Sequence, residues 1–448
     1  MLMKESIILV TGATGSQGGA VARALLKNNN RVRVTVRAAS LNSAAAEELR
    51  KAGAEVVVAD MEDSVSLEEA LRGVYGLFSV QGMDDGSDSE KRHVSILVAA
   101  AMKMGVRHVV HSSVNRAGEQ GSFPGWDDGR WNRKYWIDKE HGEGVVRNAG
   151  FPVWTIIRPV FFMDNLIPPK VPFIFPLLDS TNLITVFKPT TKLQMVAVED
   201  IGTFAMAAFD DPERFGGQTM DLAGDELKMS EVAECLNWFR GSRIRAGSIN
   251  EEEAVKKGMD PALANFQEWG NQVGYDVDIS AVKSYGLPVT SFGQWLEKNG
   301  DLFPYGEDRT PDVGMAVVRR NTKEVQSEGD FSVFEELFAP DFIDHTPQPG
   351  GFKADRESVR TLYQMLRTAF PDFYAVIHWQ TTDGDKVTTF KTYYGTHLGM
   401  LFGIAATGRK IHFESVDVMR VRDGMITDHW GVGNLLSLVQ QLGKVIPG

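Results

Sequence analysis

Ile7-Ile8-Leu9-Val10-Thr11-Gly12-Ala13-Thr14-Gly15-Ser16-Gln17-Gly18-Gly19 decides how the first part of this chain folds. A short apolar run with β-branched residues leads into three glycines spaced G-x-x-G-x-x-G. A helix-forming run, Ala20 to Leu26, follows. The pattern predicts a strand, a tight turn and a helix start whose backbone amides converge on an anion. Gly12 permits the turn, Gly15 lets the backbone approach a pyrophosphate, and Gly18 lets helix and strand pack closely. Thr11, Thr14, Ser16 and Gln17 complete the expected dinucleotide loop.

Outward from this loop, strand and helix signals alternate as far as about Arg158. Strands are expected at Arg31 to Val36, Ala54 to Val58, Tyr75 to Val80, Val106 to His111 and Val153 to Ile157. Helices are expected at Glu90 to Met104 and Asn132 to Asn148, with a short one opened by the capping-box spacing Ser66-Leu67-Glu68-Glu69. Repeated βα units imply an α/β Rossmann-type, doubly wound parallel sheet, with ligands at the C-terminal strand ends. From about 160 to 300 the pattern loosens, with many prolines and aromatics. That stretch is expected to form a small substrate lobe, so the first domain runs over 1–300.

Residues 301–312 (Asp301 to Asp312) combine Pro, Gly and charge and predict a linker. The grammar then changes. Over 313–448, helices at Val313 to Glu328, Phe331 to Phe338 and Arg356 to Ala369 precede four strand-like runs: Phe373 to Gln380, Lys386 to Thr396, Arg409 to Val421 and Met425 to Gly431. Asp423-Gly424 predicts a tight hairpin between the last two, and Asn434 to Leu442 a closing helix. Helices first and an antiparallel sheet afterwards make an α+β domain.

The totals agree with two globular domains. The chain has 448 residues, 43% hydrophobic and 24% charged, which supplies full cores and argues against wholesale disorder. A net charge of -12 argues against nucleic acid or an anionic membrane as partner. The single Cys235 excludes an internal disulfide framework and fits a reducing compartment. No His-x3-His spacing accompanies it, so no metal site is read. No apolar run is long enough for a membrane helix, and the start runs into a strand without a signal-peptide core. A soluble, cytoplasmic protein is expected.

In a dinucleotide fold the residue about twenty positions beyond the glycines meets the adenosine ribose. Here strand two ends Val34-Thr35-Val36-Arg37. No acid stands there, and the Arg37 fork suits a 2′-phosphate, so NADP(H) is expected rather than NAD. Asp60, with Met61 beside it, ends strand three, either as a partner for the adenine or as a cap of the next helix. Ser79, Val80 and Gln81 end strand four, where a cofactor ribose would lie. Tyr135 and Lys139 are four apart and share a helix face. An ammonium beside a phenol lowers its pKa, so the Tyr can pass a proton while a hydride moves. Ser112 and Ser113 end strand five and could hydrogen-bond a carbonyl oxygen.

With these residues in place, the chain resembles the NmrA-like branch of the atypical short-chain dehydrogenases over roughly Ile7 to Asn299. The resemblance rests on Gly12, Gly15 and Gly18, on Arg37, and on Arg158-Pro159-Val160-Phe161-Phe162-Met163-Asp164-Asn165, which adds Phe161 to the expected cofactor contacts. It implies a Rossmann fold binding NADP(H), in a family of redox-sensing regulators and reductases. Many members carry His where this chain has Tyr135, so Tyr135 with Lys139 moves it toward the catalytic pattern. The usual catalytic Ser falls on Ser113 or on Val114.

In the second domain, alternation puts Phe413, Ser415, Asp417 and Met419 on one strand face and His429, Gly431 and Gly433 on one face of its neighbour. A neutral His429 and a buried Asp417 could form an acid/base pair in a small-molecule pocket, or be satisfied structural polars. This region resembles a SnoaL-like domain, a polyketide or ester cyclase type of the NTF2-like superfamily. The matching residues are Asp344-His345, Gly395-Thr396-His397, Thr407-Gly408-Arg409 and Asp423-Gly424-Met425-Ile426-Thr427-Asp428-His429-Trp430. The family string usually continues with the cyclases' acid/base Asp, where this chain has Gly431. Asp417 or a histidine (His429 or His345) is then the expected substitute. The resemblance implies a cone-shaped pocket for aromatic or polyketide-like small molecules, and its habit of pairing through sheets makes a homodimer an expectation.

Together these readings predict an NADPH-dependent reductase of small-molecule, secondary metabolism. It would reduce a carbonyl or quinone-like group, and its second pocket would bind, isomerise or dehydrate the intermediate. The alternatives are an NADP(H) sensor without turnover and an isomerase or cyclase working only in the second domain.

Overall fold

The computed structural model describes residues 6–82, 88–240, 242–305, 313–346 and 353–443. It divides into two compact units, Met1–Glu307 and Asp308–Gly448. Gly300–Leu302 is a short turn of 3-10 helix; residues 306–312 of the expected linker lie outside the described residues.

The first unit contains strands β1 (Ile7–Val10), β2 (Arg31–Val36), β3 (Glu55–Val58), β4 (Val74–Ser79), β5 (His108–Ser112), β6 (Val153–Pro159), β7 (Phe161–Phe162), β8 (Asn182–Thr185), β9 (Lys192–Val196), β10 (Gln218–Leu222), β11 (Asp225–Lys228) and β12 (Arg245–Ser248). Seven of them form one sheet in the order β10-β6-β5-β4-β1-β2-β3. Every neighbouring pair is parallel. β4 and β5 are almost wholly buried, as central strands of a sheet covered on both faces are. Strand order reverses at β1, between β2 and β4, and the crevice at such a switch point takes a ligand.

The looser stretch after β6 does more than cover the sheet. It supplies β10, which adds the seventh strand at the edge beside β6. It also supplies helix Val198–Asp210, which packs on helix Ser16–Lys27 of the glycine loop. Gly202 sets that approach, since a Cβ there would stand 2.6 Å from the Ala20 carbonyl oxygen. The remainder forms two small sheets, β11-β9-β7 and β12-β8, around a core that includes Phe175, Leu193, Leu236, Phe292 and Trp295. The short helix expected from Ser66 starts earlier, at Ser64. Its cap is Asp63, which accepts from the Val65 amide at 2.9 Å, while Ser66 Oγ turns back to the Asp63 carbonyl.

The second unit holds β13 (Phe338–Asp344), β14 (Tyr374–Asp383), β15 (Lys386–Thr396), β16 (Lys410–Arg422) and β17 (Met425–Gly433), in the order β13-β17-β16-β15-β14. The fifth strand was not expected. β13 begins at Phe338, within the helix expected to end there, and runs parallel to β17; the helix shrinks to Phe334–Leu337. The first expected helix is α-helical over Val313–Arg320 and continues as π-helix over Asn321–Ser327. Asp423 and Gly424 both have positive φ, 49° and 78°, as a two-residue hairpin turn demands. Strict alternation along β16 sends Ile411, Phe413, Ser415, Asp417, Met419 and Val421 inward.

Gly202→Ala should cost about 1–3 kcal/mol, the usual penalty of overpacking a tight contact. The check is the urea midpoint of the first unit's unfolding in the full chain, which should fall; a wild-type midpoint would remove Gly202 as the spacer of the two helices.

Candidate functional site

The glycine loop sits at the C-terminal end of β1. Gly12 has φ +62°, and a Cβ on it would meet Val80 Cγ1 at 2.8 Å. At Gly18 a Cβ would stand 2.4 Å from the carbonyl oxygens of both Gly12 and Thr11. Helix Ser16–Lys27 therefore starts hard against the loop. Its first turn carries no side-chain cap and no acidic residue, so its orphan amides are left to an anion. Thr14 and Gly15 are exposed beside that end, and Ser16 is half-buried. This is the geometry a pyrophosphate needs.

Two of the expected contact residues hold the loop itself. The Thr11 hydroxyl accepts from the Val80 amide at 2.9 Å and lies 3.2 and 3.0 Å from the Phe78 and Val80 carbonyls, locking the loop to the end of β4. Gln17 Oε1 accepts from Ser112 Oγ at 2.6 Å, tying the helix to the end of β5. Arg37 is exposed beyond β2. Asp60 caps its own turn, accepting from the Glu62 amide at 2.9 Å, and Met61 packs on the core beneath. Gln81 Nε2 donates to Ser79 Oγ at 3.0 Å.

Ser113 follows β5, and its amide donates to the Ile157 carbonyl at 2.8 Å. Its hydroxyl is buried without a hydrogen-bond partner among the described residues. Val114, the other candidate position, packs into an aromatic cluster. Tyr135 and Lys139 lie on helix Arg133–Asn148, which Asn132 caps. Lys139 Nζ is 5.6 Å from the centre of the Tyr135 ring, but its charge is taken by Glu90, 2.6 Å away and buried. The expected lowering of Tyr135 is therefore reversed: burial first, and then the Glu90 charge, push its phenol well above the usual range.

Sequence reasoning missed what surrounds Tyr135. Phe123, Trp126, Trp131, Trp136 and Trp269 form a buried cluster with Val114, and Tyr135, Phe266 and Tyr275 pack against it. Tyr135 meets Trp136 edge-on at 5.2 Å and Trp136 meets Trp269 at 4.9 Å. Phe161 stacks on Phe266 at 6.0 Å. Phe266 and Trp269 are three apart on helix Pro261–Gln272, which is the signal a periodicity search could have used. The Trp269 indole N–H is buried without a hydrogen-bond partner among the described residues.

In the second unit, Asp417 and His429 do come together, with companions. His429 Nδ1 is 3.0 Å from Asp344 Oδ1, and its Nε2 is 3.4 Å from Asp417 Oδ1. Asp417 accepts from Ser415 Oγ at 2.9 Å and pairs with Lys391 Nζ at 2.6 Å. Lys391 is fully buried and also donates to Gln326 Oε1 at 2.9 Å, which takes a second bond from the Tyr393 hydroxyl at 2.9 Å. Nothing in the sequence pattern singled out Lys391 or Gln326.

The neutral His expected there is not what this setting favours. Burial alone would lower His429, but hydrogen bonds and charge from Asp344 and Asp417 outweigh it and raise it to about 9. Burial likewise acts upward on Asp417, yet Lys391 and His429 hold it well below the usual carboxylate range. Gly431 stands directly opposite Asp417 in register. A Cβ at 431 would lie 2.9 Å from the His429 ring and 3.0 Å from Asp417 Oδ1. The missing side chain is what lets the two meet. The His345 side chain stays apart from this cluster, although its amide donates to the His429 carbonyl at 2.8 Å. It is exposed, pairs with Asp428 at 2.8 Å and stacks on Trp430 at 4.4 Å.

Among the described residues no group of His, Cys, Asp and Glu could hold a metal ion. None of their helices is long and apolar enough to cross a membrane.

The family model "NmrA-like family" matches residues 4–288, and "SnoaL-like polyketide cyclase" matches 316–442. A curated relative, the (4-alkanoyl-5-oxo-2,5-dihydrofuran-3-yl)methyl phosphate reductase of Streptomyces griseus, is 31% identical over 305 residues, covering 66% of this chain and 99% of that protein. Among solved structures, an NADPH-dependent quinone oxidoreductase from Escherichia coli superposes with a TM-score of 0.52 at 20% identity, covering 65% of this chain and 98% of that one. NmrA, a negative transcriptional regulator in complex with NADP, superposes with a TM-score of 0.54 at 18% identity, covering 67% and 96%. These likenesses show the fold of the first unit.

The charge cluster makes a pH prediction. His429 is raised from 6.5 to about 9, so its contribution is complete below pH 6.5 and is lost as pH rises through 9. Asp417 is lowered, so its contribution is present above its ordinary value and is lost in acid. The second unit's urea midpoint should therefore fall from neutral to alkaline pH, and His429→Gln should flatten that slope. A slope unchanged in the variant would contradict the assignment.

Proposed function

The chain belongs to the NmrA-like family, and on that premise we propose that its first unit is an NADP(H)-binding reductase for a carbonyl or quinone-like group on a planar aromatic or polyketide-type compound. A SnoaL-like domain follows it, and in this reading that domain holds the intermediate and moves its protons. The observation that carries the proposal is the Ser113 hydroxyl. An unpartnered buried donor costs about 1–3 kcal/mol, and this one lies one residue beyond the tie between Ser112 and the glycine-loop helix. A ligand oxygen is what such a donor lacks.

Bound NADPH would supply the hydride; the remaining roles belong to the chain. The free amides of helix Ser16–Lys27 take the pyrophosphate, and Arg37 takes the 2′-phosphate. Ser113 holds the substrate oxygen, and the Tyr135 hydroxyl gives it a proton. Lys139 lies under the Tyr135 ring and anchors the ribose. The aromatic cluster excludes water and favours flat substrates, a reading supported by the quinone oxidoreductase and reductase likenesses. In the second unit His429 is the proton donor, Asp417 and Asp344 hold it charged, and Asp417 has Lys391 as its counter-ion.

One observation favours a second reading, an NADP(H) sensor without turnover. Glu90 neutralises Lys139, leaving Tyr135 a phenol that keeps its proton. Loss of NADPH absorbance across a panel of aromatic ketones and quinones selects the reductase; binding with no oxidation selects the sensor.

Arg37→Ser should weaken NADPH by about 10- to 100-fold, the worth of one charge-assisted contact, and leave NADH within about twofold. Titration calorimetry decides it, and equal loss for both nucleotides would remove Arg37 from the phosphate. With an accepted substrate, Tyr135→Phe should cut kcat by about 10²–10⁴-fold at unchanged NADPH affinity. Wild-type turnover in that variant would end the catalytic assignment.

A further inference from the structure

Glu90 belongs to no motif, yet it makes the closest contact to the Tyr135–Lys139 pair. It lies in the first turn of helix Ser89–Lys103, where the helix dipole favours a carboxylate. Its side chain is 6% exposed, and the Lys139 side chain it meets at 2.6 Å is 13% exposed. The helices bearing the two residues are also bridged by Lys91 and Asp138 at 3.2 Å and by Lys134 and Asp88. Glu90 is set apart from these bridges by its target, because Lys139 Nζ lies over the Tyr135 ring.

We propose that Glu90 is a positioning residue that holds Lys139 under Tyr135 and cancels its charge, so that Tyr135 works as a neutral hydroxyl donor to a ligand oxygen and never as a resting phenolate. The role assigned to Tyr135 rests on the reading of the first unit given above; the charge setting does not. Opposite charges a few ångströms apart in a buried site interact strongly. A lone Lys139 would stabilise a Tyr135 phenolate, whereas Lys139 closed by Glu90 presents a near-neutral pair. Tyr135 then keeps its proton throughout the working range and releases it only to an oxygen that has become strongly basic.

The groups facing this pair are few. Burial and then Glu90 act on the Tyr135 phenol, and Tyr135 in turn acts on Tyr275. On the other side, His111 of β5 lies within reach of the Lys139 and Glu143 charges; burial first, and then Lys139, lowers it to about 4. His111 is therefore neutral, and its Nδ1 is 3.2 Å from Ser79 Oγ. Arg147 also reaches His111, and it is paired with Glu143 at 2.8 Å.

The test is a pH titration of the full chain, labelled at the tyrosine ring carbon bearing the hydroxyl and followed by NMR, with Tyr135→Phe to assign the signal. It needs neither nucleotide nor substrate, so it reads the charge setting even if the chain reduces nothing. In the wild type the Tyr135 signal should stay in the phenol form through alkaline pH. In Glu90→Gln its ionisation should move down by about one pH unit or more, tenfold more phenolate at a given pH, and Glu90→Asp should restore it. If Glu90→Gln does not fold, Glu90→Ala is read instead, with the same downward move expected. An unmoved Tyr135 titration in Glu90→Gln, or in Glu90→Ala where that variant is needed, overturns the proposal and leaves Glu90 a helix clamp.

Discussion

Helix Ser16–Lys27 can meet β1 only because residue 18 has no side chain. A Cβ there would stand 2.4 Å from two carbonyl oxygens, a distance no repacking absorbs. From this contact the first unit follows. The helix N-terminus is brought to the switch point of the sheet, and its free amides face the crevice where β1 and β4 end. Thr11 and Gln17 tie the same loop to β4 and β5, so glycines and ties together fix one anion site. Gly202 then lets a second helix close behind the first.

Both candidate sites are governed by charges that are buried and matched. Removing one partner of such a pair is costlier than the pair is worth, so each charge commits its neighbours. In the first unit Glu90 commits Lys139 and adds to the burial that raises Tyr135. In the second, Lys391 commits Asp417, and Asp344 with Asp417 commits His429 to its charged form. The glycine at 431 makes that last arrangement possible, because any side chain there would occupy the ground between His429 and Asp417.

The sequence made the alternating βα architecture legible because apolar strands and glycine punctuation are local signals. β1 to β6 stand near their expected positions for that reason. β10 and β13 were hidden, since each joins a sheet through partners far along the chain; β13 also begins on a phenylalanine that reads equally well as a helix end. At the sites, Asp417 and His429 were visible from strand alternation. Glu90, Lys391, Gln326 and Tyr275 were not. Their meaning lies in what they touch across elements, and no spacing records that. The direction of the Tyr135 shift is hidden for the same reason: Lys139 is four residues away on the helix, whereas the burial that raises Tyr135, and Glu90 after it, come from other elements.

The proposed reduction delivers a hydride and a proton to an oxygen-bearing group of the substrate in the first unit. Product mass after incubation of the full chain with NADPH and a panel of aromatic ketones and quinones tests it most directly. The expected result is a product heavier by two hydrogens, formed in step with NADPH loss. Tight NADPH binding with every compound recovered at its starting mass would contradict it.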